Sequence, residues 1–223
     1  MSVAENLNRI KNTLPANVKL VAVSKTKPNV DILEAYGVGQ RIFGENKVQD
    51  LVQKQAALPN DIEWHFIGHL QTNKVKYIAP FISLIHAVDS LKLLKTIDKE
   101  AGKNNRVINC LLQFYIADEE TKFGLDIKEA KEMLESKDFK AIKNIQIAGV
   151  MGMATYTDNV EQIAGEFKLL KNIFNQLKTD YFNEDQSFSE ISMGMSDDYL
   201  IAVEQGSTMV RIGSTIFGPR TYH

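Results

Sequence analysis

Short apolar runs with almost no polar alternation recur along this chain, and an amphipathic segment with a stop signal follows each one. The first, VKLVAV from Val18 to Val23, ends in Ser24-Lys25 shortly before Pro28. Such a run suits a parallel strand covered on both faces, and Pro28 suits the first turn of a following helix. Segments 18–24, 41–43, 63–67, 82–86, 106–115, 145–150, 188–191 and 209–212 read as strands. Helices are predicted over 29–36, 45–57, 72–79, 90–101, 126–136, 159–177 and 196–204, with one more over 2–14 ahead of the first strand. Eight strands alternating with helices is the count of a (β/α)₈ barrel, an α/β fold, here with an additional N-terminal helix. A doubly wound sheet shares the alternation but usually places a glycine-rich phosphate turn after its first strand, where this chain has SKTKP. The barrel is therefore preferred. With no linker, low-complexity segment or composition shift, it is expected to span 1–223 as a single domain.

Charge and cysteine usage narrow the partners. A net charge of −2 gives no reason to expect nucleic acid or an anionic membrane. No stretch approaches the length of a membrane span, and MSVAENLNRIKNTL is polar and amphipathic rather than signal-like. The single cysteine, Cys110, lies within the apolar run VINCLLQF and reads as an inert buried thiol of a cytoplasmic protein. No strong interface stripe is evident, so a monomer is expected.

In a barrel the strand ends define one rim, and barrel enzymes place their chemistry there. That rim carries Lys25, Gly44-Glu45-Asn46, Gly68-His69, His86, Lys122, Met151-Gly152-Met153, SMGMS from Ser192, and Arg211-Ile212-Gly213-Ser214. Lysine, asparagine, serine, arginine and repeated glycine suit a phosphorylated ligand better than a metal. The loops after strands seven and eight are the usual phosphate site of such barrels, and SMGMSDD and RIGST fall there. The methionines of MGMA, Met151 among them, offer an apolar wall for a flat ring. His65 and His69 read as strand then loop with no acidic or cysteine cluster beside them, so zinc is not expected. His86 reads as a satisfied histidine at a strand end. No GxSxG elbow or ordered Ser-His-Asp set appears, and the cysteine lies mid-strand. A lysine facing a phosphate site points to pyridoxal phosphate, which forms a Schiff base with a neutral amine. Desolvation at a strand end, with Arg211 and Lys122 adding positive potential, favours that neutral form.

At these residues the chain resembles a known family. VAVSKTKP, FGENKVQD, WHFIGHLQTNK, GVMGMA and SMGMSDDYLIAVEQGSTMVRIGSTIFG together look like the YggS/PROSC family of pyridoxal phosphate homeostasis proteins, in order over about 18–218. The resemblance implies the barrel of the alanine racemase N-terminal domain, with pyridoxal 5′-phosphate held as an internal aldimine on Lys25. It implies phosphate contacts from Ser192, Gly213 and Ser214, and Arg211 facing the pyridine nitrogen. Asn46 and Lys122 would fall in the pocket. His69 departs from the usual family motif.

An arginine cannot accept the proton that a carboxylate would share with the ring nitrogen, so carbanion stabilisation is expected to be weak. Nor is the chain expected to supply the second β-domain, or the tyrosine base from a dimer partner, that the resemblance associates with alanine racemase. The expected function is a non-enzymatic pyridoxal phosphate carrier in vitamin B6 homeostasis, buffering the cofactor or delivering it to apo pyridoxal phosphate enzymes. The alternative is a small amino acid racemase or related aldimine enzyme using Tyr156 or His69 as base.

Overall fold

The computed structural model describes residues 2–118 and 123–219. The strands are β1 (Lys19–Val23), β2 (Ile42–Glu45), β3 (Glu63–Phe66), β4 (Leu84–Val88), β5 (Ile108–Gln113), β6 (Ile145–Met151), β7 (Glu190–Ser192) and β8 (Met209–Ile212). Each pairs in parallel with the next, and β8 pairs with β1, closing a barrel. The helices are α1 (Val3–Thr13), α2 (Asn29–Gly37), α3 (Val48–Ala57), α4 (Val75–Ile78) and α5 (Leu91–Lys103), then α6 (Ile127–Glu135), α7 (Lys137–Lys140), α8 (Val160–Tyr181), α9 (Tyr199–Glu204) and α10 (Ser214–Phe217). This is the eight-stranded barrel with a leading helix that the sequence pattern predicts.

Two apolar layers explain why the strands read as unbroken runs. One face of each strand packs beneath the helices, through residues such as Leu20, Phe43, Trp64, Ile85, Leu112 and Val210. The other fills the barrel interior with Val21, Leu84, Leu111, Ala148, Met151 and Met209. Neither face meets water, so neither needs polar alternation. The helix outside shows the complementary pattern. In α1, Ser2 and Glu5 form a reciprocal capping box while Leu7 and Ile10 turn inward. Cys110 is buried, and burial pushes its thiol well above the usual range, as expected of an inert cysteine.

Several boundaries move from the expected positions for identifiable reasons. The fourth strand begins at Leu84, because the Ile82 amide closes the preceding helix onto the Ile78 carbonyl at 2.9 Å. The helix expected from residue 45 begins at Val48, because Gly44 and Glu45 extend β2. Their carbonyls accept from the Ser24 and Ile67 amides at 3.0 and 2.9 Å. The helix expected over 72–79 is a 3₁₀ turn (Thr72–Lys74) followed by α4. The short α7 and α10 have too few residues to show a period.

Between β5 and β6 the register shifts, Cys110 pairing with Ile147 and Leu111 with Gly149, so β6 carries one extra residue. Gly149 adopts φ 152°, and a Cβ there would lie 1.9 Å from the Glu190 carbonyl oxygen. Backbone cannot yield to such a contact without parting β6 from β7. Gly149→Ala is expected to lower stability by about 3 kcal/mol or more, read as a fall in the urea unfolding midpoint at unchanged slope.

Candidate functional site

The C-terminal ends of the strands surround a cavity of about 340 Å³. Lys25 enters it from the turn after β1, Asn46 from the end of β2, and Gly213 and Ser214 from the end of β8; the Arg211 side chain reaches it from within β8. Val23, Ile67, Met153 and Met195 supply apolar wall. Gly68, at the same mouth, lets the loop after β3 lie against the loop after β2. A Cβ on it would sit 2.6 Å from the Asn46 carbonyl oxygen. A depression of similar size, about 350 Å³, lies between Lys11, Gln40 and Arg41 near the N-terminal ends of β1 and β2. There Arg41 is already committed to Asp61 and to the Tyr36 carbonyl, so size does not distinguish the two. The lining does: the C-terminal cavity sets the Ser196 and Ser214 hydroxyls beside the Lys25, Asn46 and Arg211 side chains, whereas the described lining of the other depression includes no hydroxyl.

The structure thus brings Lys25, Asn46, Arg211, Gly213 and Ser214 together. Met151 and Ser192 do not line the cavity. Met151 belongs to the apolar barrel interior, and Ser192 is buried against Arg211. His69 stands apart, its Nδ1 3.4 Å from Asp89 Oδ2. Lys122 lies outside the described residues. Ser196, placed on the rim by its loop but given no role from sequence, accepts a hydrogen bond from the Gly213 amide at 3.2 Å and so ties the loops after β7 and β8 together.

Arg211 is held from below. It is 4% exposed. Its Nη1 donates to the Ser192 carbonyl at 2.8 Å and to Ser192 Oγ at 2.6 Å, and Nη2 donates to the Gly152 carbonyl at 3.1 Å. Ser192 Oγ lies 3.0 Å from His86 Nδ1, and His86 Nε2 lies 3.0 Å from His65 Nδ1. A polar chain therefore runs from the cavity floor into the interior, from histidines whose strands gave no sign that they would meet. Burial pushes the His65 imidazole down to about 3, with Lys19 adding to the effect. Burial, then His65 and Arg211, hold His86 well below its ordinary value. Both rings are neutral at physiological pH. Burial pushes Arg211 down to about 10, with Asp198 opposing, which leaves the guanidinium charged under the same conditions.

Behind Lys25 lies a second buried cluster. Glu45 Oε1 accepts from Ser24 Oγ at 2.6 Å and from Lys54 Nζ at 2.7 Å, and Lys54 Nζ also donates to the Ser24 carbonyl at 2.8 Å. Sequence inspection missed this pair, since a lysine nine residues beyond its partner, within an amphipathic helix, resembles any solvated charge. No group of three or more metal-ligating side chains occurs among the described residues.

The family model for the alanine racemase N-terminal domain matches residues 1–221. A pyridoxal phosphate homeostasis protein of Aquifex aeolicus is 40% identical over 92% of this chain and 88% of its own. The solved structure of PipY from Synechococcus elongatus, with PLP bound, superposes with a TM-score of 0.87 at 34% identity, covering 97% of this chain and all of that one. The chain belongs to the YggS/PROSC family of pyridoxal phosphate homeostasis proteins. An alanine racemase from E. faecalis shares the fold, with a TM-score of 0.70 at 16% identity, and this chain covers 57% of its length. The barrel of this YggS/PROSC family member thus corresponds to a little over half of that longer chain.

The neutral histidines of this family member set the acid limb of its stability. Their folded values lie below the ordinary 6.5, so the unfolded chain binds the extra protons. Stability is then complete above about pH 6.5 and falls as pH drops, by roughly 2 kcal/mol per histidine between pH 7.5 and 5. Glu45, whose carboxyl burial pushes up, takes its proton earlier in the folded state and offsets part of the loss at the acid end. Urea unfolding across this range is expected to show that fall, with a shallower dependence in His65→Asn.

Proposed function

We propose that this protein holds pyridoxal 5′-phosphate at the C-terminal mouth of its barrel, with Lys25 as the covalent attachment point. Its role is to buffer or deliver the cofactor in vitamin B6 homeostasis, without turning over a substrate of its own. The observation that carries the proposal is the convergence of Lys25, Arg211 and Ser214 on one cavity, from opposite ends of the chain. The donor set fits the group: an amine for an aldehyde, hydroxyl and peptide donors for a phosphate, and methionine and aliphatic walls for a flat ring. Lys25 would hold the cofactor covalently, and the cofactor would supply an aldehyde for its amine. Relatives named as pyridoxal phosphate homeostasis proteins and the PLP-bound PipY structure support the same assignment.

The residues divide the work. Gly213 and Ser214, with Ser196 bracing the Gly213 amide, hold the phosphate. Asn46 adds an amide from the end of β2, on the other side of β1. Ser192 acts through Arg211, because its hydroxyl is engaged by the guanidinium and by His86 beneath the cavity. Met151 supports the floor from the interior cluster. Arg211, placed against the ring nitrogen, is a cation without a lone pair and cannot draw charge into the ring by sharing a proton. Neither sequence candidate for a base is fixed in place: the His69 side chain is 62% exposed beside Asp89, and Tyr156 is 91% exposed at the edge of the cavity. General acid–base work needs a group held within hydrogen-bond reach of the proton it moves. Among the described residues no helix is long and apolar enough to cross a membrane, and a cytoplasmic site of action is proposed with the rest.

Purified with pyridoxal phosphate, the protein is expected to show a visible absorption band that borohydride bleaches, with the reduced adduct mapping to the peptide carrying Lys25. Lys25→Ala is expected to lose the band. A band unchanged in that variant overturns the assignment. With a panel of proteinogenic amino acids in deuterium oxide, α-proton exchange is expected to stay at the level of free cofactor. Saturable exchange with any of them would establish an enzyme instead.

A further inference from the structure

Taking two charges out of water is costly, and a buried ion pair is on its own a weak way to stabilise a fold. Glu45 is fully buried, Lys54 is nearly so, and Glu45 Oε2 has no hydrogen-bond partner among the described residues. Among the described residues, the side-chain hydrogen bonds this pair makes beyond itself go to Ser24, the residue before Lys25: one from the Ser24 hydroxyl and one to the Ser24 carbonyl. That same carbonyl accepts from the Lys27 amide at 3.0 Å, which closes a four-residue turn with Lys25 and Thr26 at its centre. Thr26 has φ 65°, a left-handed conformation that turns of this kind reserve for glycine and that a β-branched residue strongly resists. The far side of the turn is tied as well, with Lys27 Nζ donating to the Phe217 and Pro219 carbonyls at 2.8 and 2.9 Å. A backbone in an unfavourable conformation persists only where its surroundings over-determine it. The buried pair supplies that determination on the side facing β2 and α3.

We propose that Glu45 and Lys54 are positioning residues for Lys25: the buried pair locks the Ser24–Lys27 turn and so holds the Lys25 amine in register with the cavity. The inference rests on the reading of Lys25 as the attachment point. The stem of a lysine has four rotatable carbons, and a free turn would let the amine sample solvent. Anchoring Ser24 removes the backbone part of that freedom and leaves only side-chain rotamers to be fixed by the ligand. The location of the pair at the end of β2 and on α3 also explains why a charged residue closes a strand that is otherwise apolar.

Lys54→Met removes both hydrogen bonds of the ammonium while keeping its apolar stem, and Lys54→Arg retains a donor for both oxygens. Without cofactor, amide exchange at the turn, read by mass spectrometry on the peptide spanning 24–27, is expected to quicken about tenfold in Lys54→Met relative to the barrel strands. With pyridoxal phosphate, formation of the Lys25 adduct is expected to slow about tenfold, while competition by pyridoxine 5′-phosphate, which has the phosphate and ring but no aldehyde, stays within about twofold. Lys54→Arg is expected to recover most of the rate. Unchanged exchange and rate in folded Lys54→Met overturn the proposal. A parallel loss of adduct formation and pyridoxine phosphate competition also overturns it, since that marks general collapse of the site. Should Lys54→Met fail to fold, Glu45→Gln, which keeps the acceptor oxygen and loses the charge, decides by the same two measurements, with a smaller change of the same sign expected. Absence of any adduct on Lys25 in the unsubstituted protein would refute the proposed function, and the exchange measurement would still decide whether the pair locks the turn.

Discussion

The barrel depends on the parallel register between its first and last strands. Lys19 pairs with Met209, Leu20 with Val210, Val21 with Arg211 and Ala22 with Ile212. That ladder closes the sheet, so no strand is left with an unpaired edge. It also sets the C-terminal end of β1 beside that of β8, which makes the Lys25 turn and the Gly213-Ser214 loop neighbours. The seam is covered from outside, where α1 donates a hydrogen bond from Asn6 Nδ2 to the Ile216 carbonyl at 3.1 Å. Without this closure the chain would carry an amine and a hydroxyl loop but no cavity between them.

Closure also creates an interior, and this interior is unusual in its polarity. Most of its filling is aliphatic, as barrel cores commonly are. Through it runs a file of polar groups, His65, His86 and Ser192, that ends on the guanidinium of Arg211. Neutral imidazoles offer both a donor and an acceptor, so they can satisfy a buried serine without introducing further charge. The one formal charge in the file is placed at its upper end, against the cavity, where three hydrogen bonds fix the orientation of its plane. The cost of burying Arg211 is thus tied to the cavity that it lines.

Two lysines show how differently the same side chain is used. Lys25 emerges at the mouth of the barrel, on a turn whose central threonine is in a left-handed conformation. Lys54 lies behind that turn with its ammonium against Glu45 and a carbonyl. One side chain lines the cavity at the barrel mouth, and the other is turned toward backbone and a carboxylate. The buried carboxylate separates the roles, because it gives Lys54 a partner whose burial keeps the ion pair out of water.

The sequence by itself determined the architecture and most of the residues that gather at one rim of the barrel. Eight doubly covered strands have a period that can be read locally, because each strand must be apolar on both faces wherever it sits in the barrel. The strand-end residues Lys25, Asn46, Gly213 and Ser214 were legible for the same reason: a strand end is a local feature, and the rim collects strand ends. Only the tertiary structure decided which interior groups meet. His65 and His86 lie on adjacent strands and Ser192 three strands beyond His86, and their contact depends on barrel stagger, which no single segment encodes. Ser192 could be named from its loop, but its burial beneath Arg211 could not. Likewise Glu45 and Lys54 become a pair only when α3 folds back over the end of β2. Hydrophobic pattern is additive along a chain, whereas the partner of a buried polar group is fixed by where distant segments happen to pack.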